Sequence, residues 1–301
     1  MAKQTTATPQ EVEVQTSVNN PAEDIPSTTE PVAEPAIERD EFASPEYLDP
    51  NARLPKIQAL RGTTPKLCGY FVPAAQMAKA GWIDFDESKL ITYTFESSGE
   101  EEQGILISHP RMLVCPRTPC LAYDKEASKA ANQPVILGVY TSEHKNDDNI
   151  GNTQYFEVIV LDDKNQPLHQ VPLSYRASGA NQATFSSEWQ QFIDEITACH
   201  AITNGIAARG KDARFKSLCV FAFKTAREQV GKKQKSFACR VVSHEKPTLE
   251  NWRKYFVGFD GAMKHLVWEN LQPTLPLMIP GASELPTLSG NTQSTTALPA
   301  Q

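Results

Sequence analysis

No stretch of this sequence approaches the ~18 consecutive apolar residues a membrane-spanning helix needs. The opening "MAKQTTATPQ" has no apolar core of the kind a secretory leader carries, and no Asn-x-Ser/Thr acceptor occurs. These absences predict a soluble cytoplasmic protein with no membrane partner. In that setting the six cysteines, Cys68, Cys115, Cys120, Cys199, Cys219 and Cys239, are expected reduced and buried in apolar runs such as "SLCVFAF".

The chemical motifs are equally sparse. "CPRTPC" offers Cys115 and Cys120, but a structural zinc site needs a second close pair and none follows, so no metal is expected. "GIAARGKD", Gly205 to Asp212, has the glycine and lysine spacing of a phosphate loop. It places Asp212 where a Ser or Thr should reach magnesium, and it follows a helix instead of joining strand to helix, so no nucleotide cofactor is expected. Cys, His and Asp residues are scattered without a nucleophile context, and His200 beside Cys199 reads as a structural histidine. An enzyme is not expected.

What the sequence does have is segregated charge. The first fifty residues hold Lys3 and Arg39 against eleven acids, a net of −9, in a chain whose total is −7; the remaining 251 residues therefore carry +2. Rich in Thr, Pro, Glu and Ala and nearly free of aromatics, that beginning cannot offset the entropy of ordering its backbone. Residues 1–44 are expected as a disordered acidic tail, 45–280 as one domain and 281–301 as a second disordered tail.

Within the domain, alternation and turn chemistry predict strands at Lys56 to Leu60, Cys68 to Val72, Leu90 to Phe95, Gly104 to Val114, Val135 to Tyr140, Gln154 to Asp162 and Leu168 to Tyr175. "SSGEEE" and "DDKN" supply turns. A short helix is expected in "PAAQMAKAGW" between Pro73 and Gly81. A long helix is expected after "FSS", where Ser187 and Gln190 fit a capping box and Trp189, Phe192, Ile193 and Ile196 recur on one face. Strands at Ser217 to Arg227 and Phe237 to His244 and a short helix from about Leu249 to Phe256 complete the chain. Hairpins without strand-helix-strand units imply an α+β fold: a mostly antiparallel curled sheet or small barrel with one long covering helix. An oligonucleotide-binding fold is one member of that class.

The basic half carries the functional expectation. From His200 to Lys254 there are thirteen Lys or Arg against four acids, and Lys224 to Arg240 alone holds six cations against Glu228. Such a patch is a footprint for a polyanion. Lys224, Arg227, Lys232, Lys233, Lys235 and Arg240 are the candidate phosphate contacts, with Phe237 and Trp252 as candidate stacking rings. The bland alternatives are a hairpin tip kept soluble by lysines and rings that serve as core, since a half-buried strand shows the same alternation. The leading expectation is a non-enzymatic, sequence-tolerant single-stranded nucleic-acid-binding protein. The alternative is an interaction or scaffold domain whose basic hairpin docks an acidic protein segment.

At "ARLPKIQALRGTTPKLCGYFVP", "QGILISHPRMLVCPRTPCLAYD", "PLSYRASGANQATFSSEWQQF" and "KPTLENWRKYFVGFD" the chain resembles a conserved cyanobacterial domain family of unknown function, over about residues 41–280. The resemblance implies a cytosolic protein and no established activity. More weakly, Leu54 to Gly62 and Tyr155 to Ser174 resemble segments of phage and plasmid proteins, some of which look like single-strand DNA-binding accessory factors of replication or recombination.

Overall fold

Alternating burial sets the first elements of the computed structural model, which describes residues 53–83, 85–95, 98–231 and 235–278. The expected tails and both expected domain boundaries lie outside the described residues. Strand β1 (Lys56–Leu60) turns Ile57 and Leu60 inward and leaves Lys56 outside, while β2 (Gly69–Pro73) buries Tyr70, Phe71 and Val72. Helix α1 (Ala74–Ala80) follows and stops where Gly81 takes φ +62°, a left-handed turn that glycine adopts without strain. Strands β3 (Leu90–Thr94) and β4 (Glu101–Ile107) form a hairpin.

Three expectations are corrected here. The single strand from Gly104 to Val114 is two, β4 and β5 (Arg111–Pro116), because Pro110 has no N–H for a ladder and the chain changes partners there. Next come β6 (Leu121–Asp124), α2 (Lys125–Ala131), β7 (Val135–Val139) and β8 (Ile150–Val160). The strand expected from Leu168 begins later, as β9 (Leu173–Ser178): Pro172 interrupts pairing, and Gln170 and Val171 instead donate their N–H groups to Ala80 O at the end of α1. The long helix α3 (Gly179–Thr203) starts eight residues before the expected cap. Ser186 and Thr184 find partners within and beside the helix and do not break it, and its first turn buries the polar Asn181 and Gln182, which hides the apolar period.

The chain ends through α4 (Ala213–Ser217), β10 (Val220–Val230), β11 (Ser236–His244), a 3-10 turn at Trp252–Tyr255 and α5 (Gly261–Leu271). Asp212, which spoils the phosphate-loop motif, is the cap of α4: its carboxylate accepts from Phe215 N–H at 3.0 Å.

The strand order is β11-β10-β5-β8-β9-β1-β2-β4-β3, with β6 and β7 branching from β8. Every neighbouring pair is antiparallel except β1 with β9. The architecture is a mixed α+β domain on a large open sheet; the order has two ends, so a closed barrel or an oligonucleotide-binding fold is not confirmed. Among the described residues no helix is long and apolar enough to cross a membrane.

Helix α3, 25 residues long, packs one face against this sheet. Phe185 meets the rings of Phe156, Tyr175, Phe221 and Phe223 at 5.0 to 5.7 Å, and Phe192 meets Phe221 at 5.4 Å. Each such ring removes a large apolar area from water. A polar chain runs through this core. Tyr70 and Tyr175 hydroxyls lie 3.0 Å apart, Tyr175 donates to Asn181 Oδ1, and Asn181 Nδ2 donates to Cys239 O at 2.9 Å. One residue pair further along β11, Val241 N–H donates to Thr184 Oγ1 at 3.2 Å.

His169 is the second buried polar device. Its Nε2 accepts from Val160 N–H and its Nδ1–H donates to Val171 O, both at 2.8 Å, with the ring stacked on Trp82. That arrangement requires the neutral imidazole, and burial pushes its pKa down to about 4.

Two measurements check these assignments. Asn181→Ala strands the Tyr175 hydroxyl and Cys239 O in the core and should cost about 1–3 kcal/mol in urea unfolding, whereas Gln190→Ala on the exposed face should stay within ~0.5 kcal/mol. For His169 the unfolded chain takes up the proton near 6.5 and the folded chain near 4. The stability it contributes is therefore complete above 6.5 and is lost as pH falls toward 4. Wild type should lose about 1.4 kcal/mol per pH unit more than His169→Gln across that window.

Candidate nucleic-acid interface

The β10–β11 hairpin sorts the expected cations by face. Residues directly opposite on an antiparallel pair project to the same side. Arg227 opposes Cys239 and Gln229 opposes Phe237, whereas Ala226 opposes Arg240 and Glu228 opposes Ala238. Arg227 and Phe237 therefore share one face, and the guanidinium sits 3.4 Å from the centroid of the Phe237 ring, which is 39% exposed. Arg240 lies on the other face and is tied to Glu228. Lys224 is exposed on that same outer face, and Lys235 is exposed just before β11. Lys232 and Lys233 lie outside the described residues.

Trp252 is the clear misplacement. It is 1% exposed, donates Nε1–H to Thr203 Oγ1 at 3.1 Å and packs beside His200, Phe256 and Phe259. A ring so enclosed has no face to give a base. His200 packs edge-on to the same ring, and burial, then Lys211, lowers its pKa.

The structure instead collects cations that are far apart in sequence. A groove of about 1470 Å³ is lined by Arg53, Lys56 and Arg61 of the β1 segment and by Phe237 of β11. Arg117, Lys125 and Arg176 also line it, and among the described lining residues the one acid is Glu157. Glu157 pairs with Arg117, whose guanidinium also donates to Leu271 O and Gln272 O at the end of α5, so this cation is committed to structure. Arg53, Lys56, Arg61, Lys125 and Arg176 are exposed.

Arg176 organises the middle of the groove. It opposes Tyr155 across β9 and β8, so the two share a face, and its guanidinium lies 5.4 Å from the Tyr123 centroid and 5.9 Å from that of Tyr155. Its Nε–H donates to Thr153 Oγ1 at 3.0 Å. Tyr123 lies flat on the backbone of Gly151, where a Cβ would stand 2.5 Å from ring atoms, so only glycine leaves room for it. The first turn of α3, Gly179 to Asn181, borders the same groove, and Ser178 makes no side-chain cap there. The N-terminal end of the helix adds positive potential there.

Of these groove residues only Phe237 was expected from the sequence; the groove's cations were not. Its cations come from three separate stretches, Arg53 to Arg61, Arg117 to Lys125 and Arg176, and no dense local run marks them. The usable sign was the alternation in β8, where the half-buried Tyr155 and Glu157 alternate with the buried Phe156 and Val158.

A family model described as a domain of unknown function (DUF5895) matches residues 51–287. The chain belongs to that family, in agreement with the expected extent. Uncharacterized protein 254L of Invertebrate iridescent virus 6 is 29% identical over 167 residues, which cover 52% of this chain and 48% of the viral protein. The chain thus matches about half the length of that relative. No solved structure matches. These matches do not bear on a cyanobacterial source or on the likeness to single-strand-binding accessory proteins.

Proposed function

We propose that this DUF5895 chain is a non-enzymatic protein that binds single-stranded nucleic acid along the groove between β1 and β11, without strong sequence preference. The observation that carries the proposal is the pairing of cations with rings that line one groove at two places: Arg227 on the exposed Phe237, and Arg176 against the half-buried Tyr123 and Tyr155. Arg53, Lys56, Arg61 and Lys125 would neutralise phosphates, while the ring shelves would take the flat faces of bases. A duplex stacks its bases on one another and so conceals those faces, which favours a single strand. An acidic polypeptide would satisfy the cations and leave the rings without a role.

Fluorescence anisotropy of the full chain with labelled single-stranded DNA, RNA and duplex tests this. Phe237→Ala and Tyr155→Ala should each weaken single-strand binding by about 1–3 kcal/mol, roughly 5- to 150-fold. The triple variant Lys56→Gln, Arg61→Gln, Arg176→Gln should lower the slope of log affinity against log salt by about 2, near 0.7 per lost contact. Lys89→Gln, remote from the groove, should change neither. No binding at low salt overturns the proposal, as does an acidic polypeptide that binds as tightly and is indifferent to Phe237→Ala.

A further inference from the structure

Beneath the groove two thiols from distant parts of the chain meet. Cys68 immediately precedes β2 and Cys239 lies on β11; they are 3% and 2% exposed, and a hydrogen bond joins their side chains. The Gly69 N–H also bonds to Cys239, which fixes that sulfur against the start of β2. No ladder pairs β11 with β2, so this contact joins strands from separate parts of the sheet order. Cys239 borders the groove, which gives a small solute a route to the pair.

We propose that Cys68 and Cys239 are an oxidation site, a dithiol that a peroxide converts to a disulfide stapling β11 to β2. The Cys68 sulfur attacks one peroxide oxygen, the O–O bond breaks, and hydroxide leaves with the thiol proton as water, giving a sulfenic acid. Cys239 sulfur then attacks Cys68 sulfur and expels a second water. Two thiols and one hydrogen peroxide become one disulfide and two waters; the sulfurs lose two electrons and the peroxide gains them.

The chemistry of the two sulfurs is unequal in the direction this order needs. The hydrogen bond from Cys239 lowers the Cys68 pKa against the effect of burial, and the Arg227 charge lowers it further. The same contact with Cys68 and burial raise Cys239, which keeps it a thiol until the sulfenic acid forms. The other thiols lack such a partner: burial alone raises the half-buried Cys120, and it is the leading cause at Cys115, Cys199 and Cys219.

The cross-link stands on its own geometry and does not depend on the groove's ligand. The full chain is treated with a small excess of hydrogen peroxide, unfolded in an alkylating agent without reductant, digested and mapped by mass. The expected result is one linked peptide pair containing Cys68 and Cys239, absent after dithiothreitol, and two of the six thiols lost. Cys239→Ser should leave Cys68 as a sulfenic acid trapped by dimedone. A dominant link between any other pair, both peptides recovered unlinked and alkylated, or Cys68 recovered as sulfinic acid beside a free Cys239, overturns the proposal.

Discussion

The hydrogen-bond chain from Tyr70 through Tyr175 and Asn181 to Cys239 O is the constraint on which the arrangement of this domain depends. Its members come from β2, β9, α3 and β11, four elements that no single hairpin connects. Its direction is determined: Tyr175 gives its proton to Asn181 Oδ1, so Tyr70 must donate to Tyr175, and the amide nitrogen is left to reach β11. Both phenols are fully buried, and desolvation raises their pKa values, so they remain donors at any ordinary pH. In a core of phenylalanine rings, which pack in many ways, these directional bonds select one position for the start of α3. The groove inherits that position, because the first turn of α3 forms part of its wall.

Much of the fold was legible because strand burial has a period of two. Lys56 to Leu60 and Phe237 to His244 fall where alternation put them, and the Asp162 to Asn165 turn is held by the Asp162 carboxylate accepting from Lys164 and Gln166. Failure came where polar residues were buried. Asn181 and Gln182 broke the helical period of α3, although both are satisfied by bonds that only the folded sheet supplies. Helices α2 and α5 escaped notice because their start signals, Asp124 and Asp260, cap short or mildly amphipathic segments.

The site was less legible than the fold, for a reason built into strands. A run of cations along one segment alternates between faces, so Arg227 and Arg240 diverge although the sequence makes them neighbours. A ring near many lysines is as useful to a core as to a ligand, and Trp252 went to the core. Conversely, Lys56, Lys125 and Arg176 are unremarkable one by one, and become a set only because β1 lies beside β9 and β6 beside β8. The single parallel pairing of the sheet, β1 with β9, is thus what brings the two sides of the basic surface within reach of one polymer.

Strand β11 ends the sheet order, and its outer side meets the side chains of a helix, where Asn181 takes the carbonyl of Cys239 and Thr184 takes the N–H of Val241. A bare edge offers another extended chain a row of donors and acceptors, and it is the usual place for one molecule to add itself to the next. Here two side chains on one turn of α3 occupy that row without being a strand themselves, so β11 has neighbours on both sides but the sheet does not grow. The same helix that fills the core thereby takes up two of the backbone groups through which a further strand would pair along that side.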